Sequence, residues 1–140
     1  MRYWDASALL PLLVLEADTP KRQQQFQEDS EVVTWWGSRV ECESGLNRLQ
    51  REDKLDPAGL EVALQGLALF AAAWVEIQAT SVVQGRALRL LRVHPLRAAD
   101  ALQLAAALIA VNDAPQHFPL VCADSRLAEA ARKEGFLVLE

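Results

Sequence analysis

Four acidic residues stand where a carboxylate is costly or conspicuous: Asp5, Asp100, Asp124 and Glu41. Asp5 follows Tyr3-Trp4 and opens Ala6-Ser7-Ala8-Leu9-Leu10, with no other charge between Arg2 and Glu16. Asp100 is the one charged residue from Ala98 to Asn112. A helix this apolar all round must be largely buried, and a lone buried carboxylate needs compensation. Arg97 could supply it; a bound cation would do so better. Asp124 ends the apolar run Leu120–Ala123, and Ser125 beside it offers a hydroxyl for water or metal. Asp is also a favoured helix N-cap, which gives Asp5 and Asp124 a purely structural alternative. For Asp100 that alternative is weaker if its helix starts earlier, near Leu96. Glu41 lies between Arg39 and Glu43 in a charge run that suits a solvated helix face, and Glu43 competes with it. Acids this far apart in sequence share a purpose only if they share a site. Clustered carboxylates repel, which raises their pKa values unless a cation is present. Mg²⁺ and Mn²⁺ prefer oxygen ligands, and about four negative charges would match two divalent ions. The chemistry that fits is in-line phosphodiester hydrolysis, one ion activating water and the other stabilising the leaving oxygen.

The elements that must position these residues alternate. Strands are expected at Arg2–Trp4, Glu31–Thr34, Trp74–Gln78, Leu120–Ala123 and Phe136–Leu139, rich in β-branched and aromatic residues. Helices are expected at Ala6–Glu16 with a bend at Pro11, and from Asp18-Thr19-Pro20 to Glu28, with Pro20 at the first helical position. Others are expected at Ser38–Asp53, Asp56-Pro57 to Ala73, Ser81–Val93, Leu96–Val111 and Ser125–Glu134, the last closed by Gly135. This βα alternation implies an α/β domain with a mainly parallel sheet of about five strands and helices on both faces. Such sheets bind ligands at the carboxyl ends of their strands, near a switch in strand order. Asp5 and Asp124 fall there.

Composition narrows the class. At 140 residues, with 51% hydrophobic and 24% charged, the chain suits one domain spanning 1–140. No apolar run reaches the roughly 18–20 residues that span a bilayer, and the acid at position 5 is wrong for a signal peptide, so a cytoplasmic protein without membrane contact is expected. Cys42 and Cys122 are read as reduced core residues, with no zinc-finger spacing. His94 and His117 are read as structural. A net charge of −5 does not suggest a simple nucleic-acid binder. The cations are eleven arginines against three lysines, and guanidinium suits phosphate. Arg86, Arg89 and Arg92 could form a stripe on one helix. The pair Trp35-Trp36 is assigned to packing or partner contact rather than to base stacking.

The segments Tyr3-Trp4-Asp5-Ala6-Ser7-Ala8-Leu9, Arg39-Val40-Glu41 with Leu46 and Leu49, Leu96-Arg97-Ala98-Ala99-Asp100-Ala101-Leu102-Gln103-Leu104-Ala105, and Ala123-Asp124-Ser125-Arg126-Leu127 together resemble the PIN-domain family, especially VapC-type toxins, over almost the whole chain. The Asp100 segment is the most specific and the Glu41 segment the loosest. The resemblance implies a Rossmann-like α/β/α sandwich. It implies an acidic pocket in which Asp5, Glu41, Asp100 and Asp124 bind Mg²⁺ or Mn²⁺, and it places Glu41 above Glu43. Ser7, Ser125 and Arg97 would act around that pocket on water or phosphate. It further implies endoribonuclease activity on single-stranded RNA, a VapB-like antitoxin partner and a homodimer.

Other readings make different demands. A catalytically idle partner-binding module would use the acids only as caps and ion pairs, and a PIN-fold nuclease of RNA processing would lack the antitoxin. A receiver-like phosphoacceptor needs a lysine at the site and paired acids after the first strand, but Lys21, Lys54 and Lys133 end no internal strand. A haloacid-dehalogenase-type phosphatase needs a second Asp two residues after the first, where this chain has Ser7.

Overall fold

A computed structural model describes residues 1–140. The elements run β1 (Arg2–Trp4), α1 (Ala6–Leu13), α2 (Thr19–Glu28), β2 (Val32–Trp35), α3 (Ser38–Arg51), α4 (Pro57–Ala71), β3 (Val75–Ile77), α5 (Ser81–Val93), α6 (Ala98–Ala110), β4 (Pro119–Val121), α7 (Ser125–Glu134) and β5 (Leu137–Leu139). All four strand pairings are parallel, in the order β3-β2-β1-β4-β5. The chain builds outward from β1 through β2 to β3, then crosses back to add β4 and β5 on the other side. The switch in strand order therefore falls between β1 and β4, where an open parallel sheet leaves a crevice at its carboxyl edge.

Side-chain alternation divides the interior between the two faces of the sheet. Tyr3, Val33 and Leu120 point into a core with α5, α6 and α7, centred on Leu90, Leu104, Leu108 and Leu127. Their neighbours Trp4, Val32 and Val121 point the opposite way, into a core with Leu9, Leu46 and Leu67 of α1, α3 and α4. The small buried residues Ala101, Ala105, Ala106 and Ala107 let α6 lie close to its neighbours, while Leu104 fills the space between them. No helix is long and apolar enough to cross a membrane.

The element bounds depart from the sequence reading in three places that matter. The first helix ends at Leu13 rather than Glu16. The Thr19 hydroxyl donates to the Pro11 and Val14 carbonyls (2.7 and 3.1 Å) and accepts from the Glu16 amide (2.8 Å), holding the chain in a turn instead. The second strand runs one residue further than expected, which makes Trp35 a strand residue. The sixth helix starts at Ala98, not Leu96, because the chain stays extended at His94 and Arg97 around Pro95. That shift puts Asp100 in the first helical turn, where the Arg97 amide donates to its Oδ2 at 3.2 Å. Asp100 is half-buried at the mouth of the fold, so the expectation that it is the deeply buried acid is corrected.

Candidate active site

The switch between β1 and β4 gathers the acids. Asp5 follows β1 and Asp124 follows β4, while Glu41 and Asp100 come from the first turns of α3 and α6. Asp5 is the deeply buried member, only 4% exposed. Its Oδ2 accepts the Ser7 amide at 3.0 Å and the Ser7 hydroxyl. Ser7 Oγ in turn accepts the Ala123 amide at 2.9 Å, which ties the β1 end to the β4 end. Asp124 Oδ1 caps α7 by accepting the Leu127 amide at 2.8 Å. Glu41 Oε1 accepts from Trp35 Nε1 (3.0 Å) and Gln103 Nε2 (3.2 Å).

Each of the four carboxylates spends one oxygen on the protein and has no hydrogen bond within the chain to the other: Asp5 Oδ1, Glu41 Oε2, Asp100 Oδ1 and Asp124 Oδ2. No arginine or lysine forms an ion pair with any of them. They act on one another instead. Burial, first, and then the charges of Asp100 and Asp124 push the Asp5 carboxyl above its ordinary value, against the lowering effect of Ser7. Burial, with the charges of Asp5 and Asp100, pushes Glu41 up to about 7 despite the Trp35 and Gln103 hydrogen bonds.

This donor set fits a hard divalent cation. It is all oxygen, runs from buried Asp5 through half-buried Glu41 and Asp100 to exposed Asp124, and is short of positive charge. No three Asp, Glu, His or Cys side chains converge tightly enough to chelate one ion by themselves. Mg²⁺ usually keeps several waters and takes only one or two carboxylates, so it does not require three side chains in direct contact.

The remaining residues singled out from sequence have mixed placements. Ser7 sits at the centre of the site, bridging Asp5 and Ala123. Ser125 is exposed at the start of α7. Arg97 is exposed and does not pair with Asp100; only its backbone amide touches that carboxylate, so its expected compensating role is corrected. The arginine stripe is largely engaged elsewhere, Arg86 with Asp113 (2.6 Å) and Arg89 with Glu134 (2.9 Å). His94 is buried against Glu134 at 2.7 Å, a structural contact that joins the end of α5 to α7. Cys42 and Cys122 are buried free thiols. Cys122 nevertheless borders the site: its Sγ lies 3.8 Å from Asp5 Oδ2 and accepts the Asp124 amide at 3.3 Å.

Two residues escaped the sequence reading. Gln103 and Trp35 hold Glu41, and neither looks chemical in a sequence, since one sits in an apolar helix and the other in a tryptophan pair. The available signal was helical spacing, because Gln103 lies three residues after Asp100 and so on a neighbouring part of the same helix. Beside Glu41 a cleft of about 430 Å³ opens between α1 and α3, lined by Ser7, Leu10, Val40, Glu41, Ser44 and Arg48 among others.

Gly37 keeps Trp35 in place. A Cβ there would overlap the Trp35 ring, far inside van der Waals contact. Gly37→Ala must therefore displace the indole that donates to Glu41. We expect a loss of roughly 1–3 kcal/mol, typical of overpacking, with a changed tryptophan emission spectrum. Unchanged emission and stability in denaturant titrations would count against this packing.

No family model matches the sequence, and no curated protein matches it. The fold does have solved counterparts. It is similar to a toxin–antitoxin complex from Klebsiella pneumoniae, at 13% identity and a TM-score of 0.65, covering 90% of this chain and 88% of that one. It is also similar to FitAcB from Neisseria gonorrhoeae, at 15% identity and a TM-score of 0.69, covering 100% of this chain and 97% of that one. Likeness at this identity shows the fold alone: a Rossmann-like α/β/α sandwich with a five-stranded parallel sheet.

Proposed function

We propose that the chain is a Mg²⁺- or Mn²⁺-dependent endoribonuclease acting on single-stranded RNA, and the toxin of a type II toxin–antitoxin pair. The observation that carries the nuclease reading is the set of four carboxylates with one free oxygen each and no cationic side chain to neutralise them, with Asp5 under the charges of Asp100 and Asp124, and Glu41 under those of Asp5 and Asp100. The toxin reading is supported by a fold shared with a toxin–antitoxin complex. With it come a VapB-like antitoxin, a homodimer and a cytoplasmic setting as parts of the same proposal.

The rival idle module has one observation in its favour, since Asp5, Asp100 and Asp124 all make helix-start hydrogen bonds. Capping needs only one acceptor oxygen, however, and Ser or Asn supplies it without charge. A charged cap as buried as Asp5, raised by burial and by the charges of Asp100 and Asp124, costs stability and needs another reason.

Asp5, Glu41, Asp100 and Asp124 would hold the ions. Bound there, Mg²⁺ or Mn²⁺ supplies Lewis-acid stabilisation of phosphate oxygens and lowers the pKa of water. The chain's own part is orientation. Ser7 fixes the Asp5 carboxylate through Oδ2, and Trp35 and Gln103 fix Glu41 through Oε1. Arg48, exposed on the cleft wall beside Glu41, would meet an RNA phosphate.

The test is cleavage of single-stranded RNA by the purified chain with Mn²⁺. EDTA is expected to stop cleavage and excess Mn²⁺ to restore it, with duplex RNA resistant. Cleavage that persists in EDTA would overturn the metal reading, and no cleavage with either ion would favour the idle module. Expression alone should arrest growth, and the product of a short reading frame just upstream should relieve the arrest.

A further inference from the structure

Gln103 is a polar residue in an otherwise apolar stretch of α6, and it is only 1% exposed. Leucine at this position would suit the surrounding core, so the amide must serve a contact. Its Oε1 accepts the Tyr3 hydroxyl at 2.9 Å. Its Nε2 donates to Ser38 Oγ at 3.0 Å and to Glu41 Oε1 at 3.2 Å. Beyond it, Ser38 Oγ lies 2.6 Å from Thr34 Oγ1, and Thr34 donates to the Trp4 carbonyl at 2.8 Å.

The hydrogens in this network have one consistent arrangement. Thr34 gives its proton to the Trp4 carbonyl, so Ser38 must donate to Thr34. Ser38 then accepts from Gln103, whose second amide hydrogen goes to Glu41. Tyr3 donates to Gln103 Oε1. Reversing the amide would set its oxygen against the Glu41 carboxylate and leave that oxygen facing negative charge. The network is fully satisfied in one sense, and buried networks of that kind fix geometry.

We propose that Gln103 is a positioning residue that pins Glu41 through Oε1 and so presents Oε2 alone to a divalent cation. This rests on the metal-dependent reading given above. Trp35 Nε1 occupies the same Oε1, so both donors leave the same oxygen free. Glu41 is then a one-oxygen ligand whose direction is set by the sheet, through Tyr3 and Thr34, rather than by its own flexible side chain.

The test is Mn²⁺ binding measured by electron paramagnetic resonance of the free ion, with thermal melts alongside. Gln103→Met keeps the volume and removes the donor; we expect a Kd for Mn²⁺ raised about 10-fold, the lower end of what outer-shell partners of metal ligands contribute. Tyr3→Phe leaves the amide in place but unanchored, and a smaller rise is expected. Wild-type affinity in a folded Gln103→Met would overturn the positioning role while leaving the metal site standing. Absence of Mn²⁺ binding in the wild type would overturn both. If Gln103→Met fails to fold, Tyr3→Phe decides: unchanged affinity overturns the proposal.

Discussion

Asp5→Asn is expected to reduce metal-dependent RNA cleavage by about 10³-fold or more while the metal-free fold stays at least as stable. The two halves of this expectation come from the same geometry. Asn retains an oxygen that can accept the Ser7 amide and hydroxyl, so the start of α1 keeps its cap. It removes the buried charge that Asp100 and Asp124 oppose. What it cannot replace is the anionic oxygen offered to an ion. A metal contributes several kcal/mol of transition-state stabilisation, and about 4 kcal/mol corresponds to roughly 10³ in rate. Asp100→Asn should show a similar loss, because its cap to the Arg97 amide also survives the change. Rates measured with Mn²⁺, beside melting curves without metal, separate lost chemistry from lost folding. An Asp5→Asn or Asp100→Asn variant that cleaves at the wild-type rate would sink the assigned chemistry.

How much of this was legible in the sequence depended on whether the signal was local. The strand–helix order followed from β-branched runs and cap residues, and the helices Ser81–Val93 and Ser125–Glu134 lie where those signals put them. Asp5 and Asp124 were visible as acids at strand ends. Asp100 stands out in the sequence by its apolar neighbours, which is only part of its setting. The apolar residues that follow it, Ala101 and Leu104 to Leu108, pack inward, while Ala98 and Ala99 are exposed and Asp100 itself sits half-buried on the first turn of α6. The deep burial belongs to Asp5. Glu41 could not be separated from Glu43 by charge pattern, and what distinguishes it in space is contact with Trp35 and Gln103, residues 6 and 62 positions away. Such pairings depend on the strand order, which a single sequence leaves open.

The metal-free chain should lose stability as pH rises from about 4.5 to about 7, and a divalent cation should restore it. Glu41 in the fold is raised to about 7 from an ordinary value of 4.5, chiefly by burial and then by the charges of Asp5 and Asp100. Asp5 is raised in the same direction, again chiefly by burial. Below pH 4.5 Glu41 is protonated in both states, and the fold carries no penalty from it. Between 4.5 and 7 the unfolded chain releases the proton while the folded chain retains it, so stability falls. Above 7 the loss is complete. The carboxylates with lowered values, Asp29, Glu52, Glu129 and Glu134, behave oppositely: their contribution is lost only in acid, as pH falls through the carboxylate range. They leave the window from 4.5 to 7 to the site. At about 1.36 kcal/mol per tenfold change in proton concentration, and allowing for the partial exposure of Glu41, the fall is about 2–3 kcal/mol. In a chain of this size that lowers Tm by roughly 5–10 °C. Mn²⁺ binds the ionised carboxylates, so at a pH of about 8 a concentration roughly 100 times its Kd should return about 2.7 kcal/mol. Melting curves from about pH 4.5 to about 8, with and without Mn²⁺, check the slope and its reversal. Glu41→Gln removes the main titrating group and should flatten the metal-free curve; a slope that Glu41→Gln leaves intact would place the strain elsewhere in the fold.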